Sequence, residues 1–247
     1  MRKYIVHSIV AFFPVLTMAM SKCPEGQYWV IGHHRSSYVK ADGTLVAATN
    51  VRAHCKTYSK VYTEWNSKFK NTPPLGWPHK SEVFKNWTVE EKERALEALG
   101  QLPEELWNKK VLGIYRSSKS RESPNPATSA DGIIVLYDEA FGKTSNLSRV
   151  LSHELSHQAY TDLSKEQRED YGFTTNWFSL DKAKDKYISR KDGFVQDDGR
   201  ESPEEDFSNN VEYYLFAPNE LKKITPHAYR WIENHFGDKF KLRKGAK

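Results

Sequence analysis

The stretch S-H-E-L-S-H-Q-A-Y, residues 152–160, decides how the rest of this chain of 247 residues is interpreted. His153 and His157 are four residues apart, and Glu154 follows the first histidine directly. Residues four apart lie about 40° from each other around a helix. Imidazoles on adjacent turns can bind one zinc ion, and a glutamate beside the first can reach a metal-bound water. The stretch therefore predicts a zinc-binding helix.

An amphipathic helix over residues 145–160 is predicted to carry this stretch. Its apolar stripe is formed by residues at four-residue spacing, Leu147, Leu151, Leu155 and Ala159. Leu155 lies about 200° around the helix from His153, so the histidines face away from the core. Asn146 at the start of the helix is explained as its cap. Two exposed histidines on an ordinary helix are the alternative, but the added glutamate makes a chance match rare, on the order of one in a hundred.

A third ligand is expected in the acidic residues 201–216, because catalytic zinc sites use three protein ligands and leave a fourth position for water. Pro203 after a Ser202 cap predicts the start of a helix, whose core stripe is Phe207, Val211, Tyr214 and Leu215. Glu205 lies about 200° from the first residue of that stripe, and Asp206 about 100°. Geometry favours Glu205, with Asp206 as the next candidate. Ser202 and Glu205 also match a capping box, in which the carboxylate would bind the helix end instead.

Three segments together resemble a known family: the strand G-I-I-V-L-Y-D, the motif H-E-L-S-H and the later P-E-E-D-F. They are similar to zincin metallopeptidases of the glutamate-ligand type, in particular the catalytic domain of anthrax lethal factor and its bacterial relatives. The resemblance covers roughly residues 132–236. It implies that His153, His157 and Glu205 bind Zn²⁺ and that Glu154 is the general base. It also implies a peptide or protein substrate.

Two positions depart from this family's pattern. Relatives often have glutamate one turn after the third ligand, where this chain has Asn209, and a tyrosine before it, where this chain has Asp198. Another tyrosine could substitute, and Tyr213 and Tyr214 are nearby in sequence. A secreted zincin-fold binding protein with weak or no activity is therefore one alternative function, and a zinc peptidase acting on cell-wall peptides is another. The strand of residues 133–137 is expected either to pair with an extended substrate or to lie inside a sheet.

The N-terminal part predicts a small β-module. Asp42 and Gly43, flanked by apolar residues, are typical of a hairpin turn. The two cysteines of the chain, Cys23 and Cys55, flank this hairpin, and in an exported chain we expect them to form a disulfide. The module's histidines, His33, His34 and His54, have no carboxylate or thiolate at ligand spacing. They are interpreted as surface or packing residues.

The remaining patterns predict an α+β fold, a zincin-like domain preceded by the disulfide-stapled module. A capped helix is expected at residues 88–100, strands at 110–116 and 133–137 with a long polar loop between them, and further helices at 164–170 and 226–236. The predicted regions are a signal peptide (1–21), the β-module (22–56), a linker and connecting segment (57–80), the catalytic domain (81–240) and a basic tail (241–247).

Export to the cell exterior or the periplasm is expected, because Arg2 and Lys3 precede an apolar run and small residues. Cleavage after Ala19 and after Ser21 both fit this pattern. Beyond this segment nothing resembles a membrane span, so no stable membrane insertion is expected. The formal charge of +5 falls to +3 when Arg2 and Lys3 are removed with the signal peptide, and much of this mild excess lies in the tail. The sequence has no basic patch with interleaved aromatic residues. Nucleic-acid binding is therefore not expected.

Overall fold

The computed structural model describes residues 23–24, 27–40, 42–57, 59–75, 77, 82–107, 110–118, 125–181 and 186–243. The predicted signal peptide and residues 244–247 of the predicted tail lie outside this part of the chain. No helix in the described part is long and apolar enough to cross a membrane. The fold is α+β, as the sequence predicts, because the strands are concentrated in the first half of the chain and most of the helices follow them.

The helices in the described part are α1 (Lys60–Trp65), α2 (Val89–Gln101), α3 (Leu147–Asp162), α4 (Lys165–Thr174), α5 (Pro203–Phe216), α6 (Pro218–Ile224) and α7 (Pro226–His235). The capping box predicted for α2, between Thr88 and Glu91, is present. α1 and α6 were not predicted, because segments this short carry too few turns for a helical period to be recognised. α1 belongs to the segment predicted as a linker, yet its Val61 and Trp65 are buried in the core.

The N-terminal module is one long antiparallel hairpin in three two-stranded sections. Its strands are β1 (Gln27–Val30), β2 (His33–Arg35), β3 (Tyr38–Val39), β4 (Leu45–Val46), β5 (Thr49–Val51) and β6 (His54–Thr57). β1 pairs with β6, β2 with β5, and β3 with β4. Gly43 forms the predicted turn with a φ of +81°, which glycine adopts without steric cost. The predicted disulfide is confirmed and joins Cys23 to Cys55 in β6.

The module is attached to α2 by hydrogen bonds to acidic side chains. The backbone N–H of Ser36 donates to Glu90 at 2.6 Å, and the hydroxyl of Tyr38 donates to Glu97 at 2.5 Å. The side-chain amide of Asn146, the cap of α3, donates to the carbonyl oxygen of Lys40 at 3.2 Å. The module therefore contacts the N-terminus of α3, the helix that carries the two histidines.

A four-stranded sheet lies beside α3. Its strands are β7 (Phe84–Lys85), β8 (Gly113–Ser117), β9 (Ala127–Ala130) and β10 (Ile133–Leu136), in the spatial order β7-β8-β10-β9. β8 and β10 are parallel, and β9 is antiparallel to β10. β10 is thus an interior strand, so of the two predicted roles the interior one is confirmed and pairing with a substrate is wrong.

The end of the predicted polar loop forms β9, so the prediction of a loop is wrong there. Asp131 and Gly132 both have positive φ and turn the chain back on itself. This turn brings Ala127 to Ala130, of which only Thr128 is a strong strand former, beside the buried strand β10, whose backbone supplies their hydrogen bonds. A second hairpin that was not predicted, β11 (Phe178–Asp181) with β12 (Lys186–Ile188), follows α4.

One apolar cluster joins the sheet to α2, α3, α5 and α7. The apolar stripes predicted for α3 and α5 are confirmed. Ala159 is half-buried, and the other side chains of the two stripes are buried: Leu147, Leu151, Leu155, Phe207, Val211, Tyr214 and Leu215. Burial of one leucine stabilises a fold by about 1.5–3 kcal/mol, so these stripes fix how α3 and α5 are rotated. The opposite faces of the two helices are directed at a common cleft.

Candidate metal centre

Two imidazoles from α3 converge at the floor of the cleft. Asn146 begins the helix as predicted, with its side-chain oxygen accepting from the backbone N–H of Arg149. Because His153 and His157 are one turn apart on the face opposite the apolar stripe, their rings point the same way. Their Nε2 atoms lie 3.2 Å from each other.

Glu205 on α5 brings a third candidate ligand atom, a carboxylate oxygen, to the two imidazole nitrogens. Its Oε2 lies 3.4 Å from Nε2 of His153 and 3.6 Å from Nε2 of His157. The helix cap uses other atoms, because the hydroxyl of Ser202 accepts from the backbone N–H of Glu205. The carboxylate is therefore directed at the histidines while the backbone of the same residue completes the cap.

The three atoms have the spacing of ligands around one metal ion. Tetrahedral ligands about 2.0–2.1 Å from zinc are separated from one another by about 3.3–3.4 Å. The distances between His153, His157 and Glu205 are close to this value on every side of the triangle. Within the described ranges, these residues form the one group of three or more histidines, cysteines or acidic residues that could hold a metal ion. The module's histidines do not belong to it.

Asp206, the other candidate for the third ligand, is turned away from the histidines. Its carboxylate is fully buried and accepts two hydrogen bonds from Arg190, at 2.7 and 2.8 Å. It also accepts from the indole N–H of Trp177 and from the amide of Asn210, both at 3.0 Å. Of these two adjacent residues, Glu205 therefore lines the cleft, and Asp206 forms a buried ion pair with Arg190.

Two further glutamates of α5 stand behind the histidines. The Nδ1 atom of His157 lies 3.0 Å from Glu204, and the Nδ1 atom of His153 lies 3.8 Å from Glu212. Metal-binding histidines commonly donate their second N–H to a carboxylate, which fixes the ring and makes it a stronger ligand. The family pattern places such a residue at the position of Asn209, and the sequence alone indicated neither Glu204 nor Glu212 for this role. The helical period could have indicated Glu212, which lies two turns after Glu205.

Asn209 has a different partner. It is buried, and its amide donates to Asp198 at 2.7 Å, so it ties the wall of the cleft to α5. Asp198, which stands where the resemblance implies a tyrosine, lines the cleft. Neither substitute tyrosine lines it: Tyr214 is part of the core, and the ring of Tyr213 lies beneath the guanidinium of Arg149.

Glu154 lines the cleft next to the three converging atoms, and only 5% of its surface is exposed. Burial raises the pKa of Glu154, and the neighbouring His153 and His157 oppose that shift without cancelling it. A carboxylate with a raised pKa accepts a proton more readily near neutral pH. The position and chemistry of Glu154 thus suit a proton acceptor.

The charges of the group stabilise one another in the metal-free protein. Burial lowers the pKa of His153, but the carboxylates of Glu205, Glu154 and Glu212 outweigh burial and raise it to about 9. Burial also lowers the pKa of His157, and the carboxylates led by Glu204 raise it overall. Burial raises the pKa of Glu205, yet the hydrogen bond to His153 and the charges of both histidines bring it below its usual value.

The cleft itself has a volume of about 580 Å³, within the range of ligand-binding pockets. One wall is the segment that leads into β9 and the strand itself, up to Ser129, and the opposite wall carries Gln196, Asp198 and Glu201. The amide of Gln158 on α3 donates to the hydroxyl of Ser129 at 3.1 Å, which fixes β9 beside the helix.

No protein family, no curated protein and no solved structure matches the chain. The family resemblance therefore rests on the motif and on the geometry of the cleft. The described part of the chain is an α+β protein with a disulfide-linked N-terminal hairpin and a candidate metal-binding group of His153, His157 and Glu205.

Proposed function

We propose that this protein is an exported zinc-dependent metallopeptidase with a zincin-like catalytic domain. The observation that carries the proposal is the triangle of His153, His157 and Glu205, with sides of 3.2 to 3.6 Å, beside the buried Glu154. Two imidazoles and one carboxylate are a donor set typical of catalytic zinc. Zinc bound there would polarise a carbonyl group and lower the pKa of a water molecule to about 7.

The chain's own residues then account for the proton transfers. Glu154 accepts the proton of the attacking water on its carboxylate and returns it to the nitrogen of the leaving amine. Glu204 lies 3.0 Å from Nδ1 of His157 and holds that ring with its Nε2 directed into the cleft. Glu212 lies 3.8 Å from Nδ1 of His153 and supports that ring by its charge. Glu154 thus serves both as the base for the attacking water and as the acid for the leaving amine.

An extended peptide is the proposed substrate, and β9 takes the role that the sequence suggested for β10. One edge of β9 pairs with β10, and residues from Ala127 to Ser129 line the cleft. An antiparallel edge strand can add a peptide as a further strand by backbone hydrogen bonds, which do not depend on the peptide's sequence. The Cys23–Cys55 disulfide supports export, because disulfides persist in oxidising compartments.

The test is a comparison of metal content and hydrolysis in purified variants. Glu154→Gln keeps the size of the side chain and the three ligands, so zinc should stay near one equivalent while hydrolysis of mixed peptides falls by about 100-fold or more. His157→Ala should lose zinc and hydrolysis together. His227→Ala on the exposed face of α7 is the matched control and should change neither.

Unchanged hydrolysis in Glu154→Gln would contradict the mechanism, and unchanged zinc content in His157→Ala would contradict the site. Zinc bound by a chain that cleaves neither unfolded proteins nor peptides would favour the binding-protein alternative. That alternative is supported by one observation, the absence of a tyrosine among the described residues that line the cleft. Cleavage of cell-wall peptides alone would favour the third function.

A further inference from the structure

Arg149 is the one lysine or arginine among the described residues that line the cleft. It lies on α3 one turn before His153, on the same face. Its Nε donates to Oε1 of Glu212 at 2.7 Å, and its Nη2 lies 2.7 Å from the same oxygen. The side chain is 36% exposed, so part of the guanidinium remains open to the cleft.

The guanidinium is held rigidly on two sides. Its Cζ atom lies over two aromatic rings, 5.2 Å from the ring centre of Tyr213 and 5.9 Å from that of Phe216. Its partner Glu212 is fixed in turn, because the other carboxylate oxygen accepts from Gln196 at 3.1 Å and lies 3.8 Å from His153. An arginine has five donor hydrogens in a planar fork, and only those directed at Glu212 are occupied by described side chains. The open edge is therefore a preorganised donor.

The charge of the cleft indicates which acceptor suits this donor. Four further carboxylates line the cleft besides Glu212, namely Glu154, Asp198, Glu201 and Glu205. These charges exceed those of Arg149 and a divalent ion together, and Arg149 is already paired with Glu212. An anionic group of a ligand would be repelled, whereas a neutral carbonyl oxygen can accept from the guanidinium without that cost.

Distance along the helix indicates which carbonyl it reaches. One helical turn separates Arg149 from His153, about 6 Å along the axis. An extended peptide advances about 3.4 Å per residue. The guanidinium, on the far side of Glu212 from the imidazole, is therefore within about two residues of the bond that lies at the metal site.

We infer that Arg149 binds a main-chain carbonyl oxygen of the peptide substrate, within two residues of the scissile bond, and that Glu212 positions the guanidinium for it. This inference rests on the proposed peptidase function. In this role Arg149 selects extended peptide backbone and is indifferent to the side chains of the substrate.

The test pairs a change in the protein with a change in the ligand. The ligand is the blocked peptide that the wild-type chain cleaves fastest, together with analogues in which each carbonyl near the scissile bond is replaced in turn by a methylene group. Equilibrium binding is measured by fluorescence anisotropy to Glu154→Gln, with and without Arg149→Met. With Arg149 present, one replacement should weaken binding by about 10- to 100-fold, as expected for a hydrogen bond to a charged group. With Arg149→Met, the same replacement should have little effect.

Equal losses in both chains at every carbonyl would overturn the inference. Arg230→Met on the exposed face of α7 is the matched control and should leave the pattern of losses unchanged. If Arg149→Met disturbs folding because Glu212 loses its partner, Arg149→Met with Glu212→Gln leaves no unpaired charge, and the same two outcomes apply to it. A wild-type chain that binds no zinc or cleaves no peptide removes the proposed function and this inference together. Cleavage by Arg149→Met at the wild-type rate removes only the inference.

Discussion

Removing the carboxylate of Glu205 and removing that of the neighbouring Asp206 should have opposite effects: the first should abolish zinc binding, and the second should destabilise the fold. Asp206 is fully buried and is the counter-charge of Arg190, whose own side chain is only 11% exposed. Asp206→Ala leaves the buried guanidinium with hydrogen bonds to the carbonyl oxygens of Thr175 and Gly193 but without a counter-charge, which costs about 3–5 kcal/mol. For a chain of this size the melting temperature should fall by roughly 6–20 °C.

Glu205→Ala should have the opposite profile. Its carboxylate is more exposed, at 30%, and the helix cap uses its backbone N–H, which alanine retains. The free energy of unfolding of the metal-free protein should therefore change by about 1 kcal/mol or less, the scale of a partly exposed ion pair. Zinc binding should be lost, because two imidazoles remain as the only ligands.

Urea denaturation of the metal-free proteins measures the free energy of unfolding, and zinc titration well below the melting temperature measures zinc binding. Asp206→Ala should still bind zinc when it is folded. Arg190→Met with Asp206→Ala is the control, since it removes the unpaired charge and should recover part of the lost stability. Loss of zinc binding at unchanged stability in Asp206→Ala would refute the structural role of Asp206. Equal destabilisation of the fold by Glu205→Ala and Asp206→Ala would refute the distinction between the two carboxylates.

Two further predictions concern the disulfide and the protons of the site. Replacing Cys23 and Cys55 with serine opens a loop with a sequence separation of 32 residues, which should lower the free energy of unfolding by about 3–4 kcal/mol; a loss under about 1 kcal/mol in urea denaturation would contradict this. His153, with its pKa raised to about 9, carries a proton at pH 7 in the metal-free chain, and zinc requires the neutral ring. Zinc binding should therefore release about one proton or more at pH 7 and strengthen as the pH rises toward 9. Calorimetry in two buffers of different ionisation enthalpy measures the number of protons released, and a value of zero would contradict the prediction. The raised pKa also stabilises the metal-free fold fully below the unfolded pKa of about 6.5, and this contribution is lost as the pH rises through about 9.

The sequence by itself determined the features that depend on short-range signals. The turn at Asp42 and Gly43, the capping box of α2 and the bounds of α5 each follow from residues within a few positions of one another. The apolar stripe of α3 fixed the face on which His153 and His157 lie, because rotation about a helix is set by its period. The disulfide followed from cysteine count and expected compartment.

Only the tertiary structure decided which strand borders the cleft. Of Ala127 to Ala130 only Thr128 has a strand preference of its own, and the segment forms β9 because β10 lies beside it. The helix α1 is likewise stabilised by distant contacts, since Val61 and Trp65 pack into a core built mostly from later segments.

The tertiary structure also decided the partners of each carboxylate on α5. Sequence geometry favoured Glu205 over Asp206, but the capping alternative was resolved only by the approach of α3, which brings two imidazoles within 3.6 Å of that side chain. Glu204 and Glu212 acquired their roles behind the histidines by the same approach. The physical reason is that helical period determines the direction in which a side chain points, whereas its hydrogen-bond partner is determined by residues about fifty positions away in the chain that packing brings to the same place.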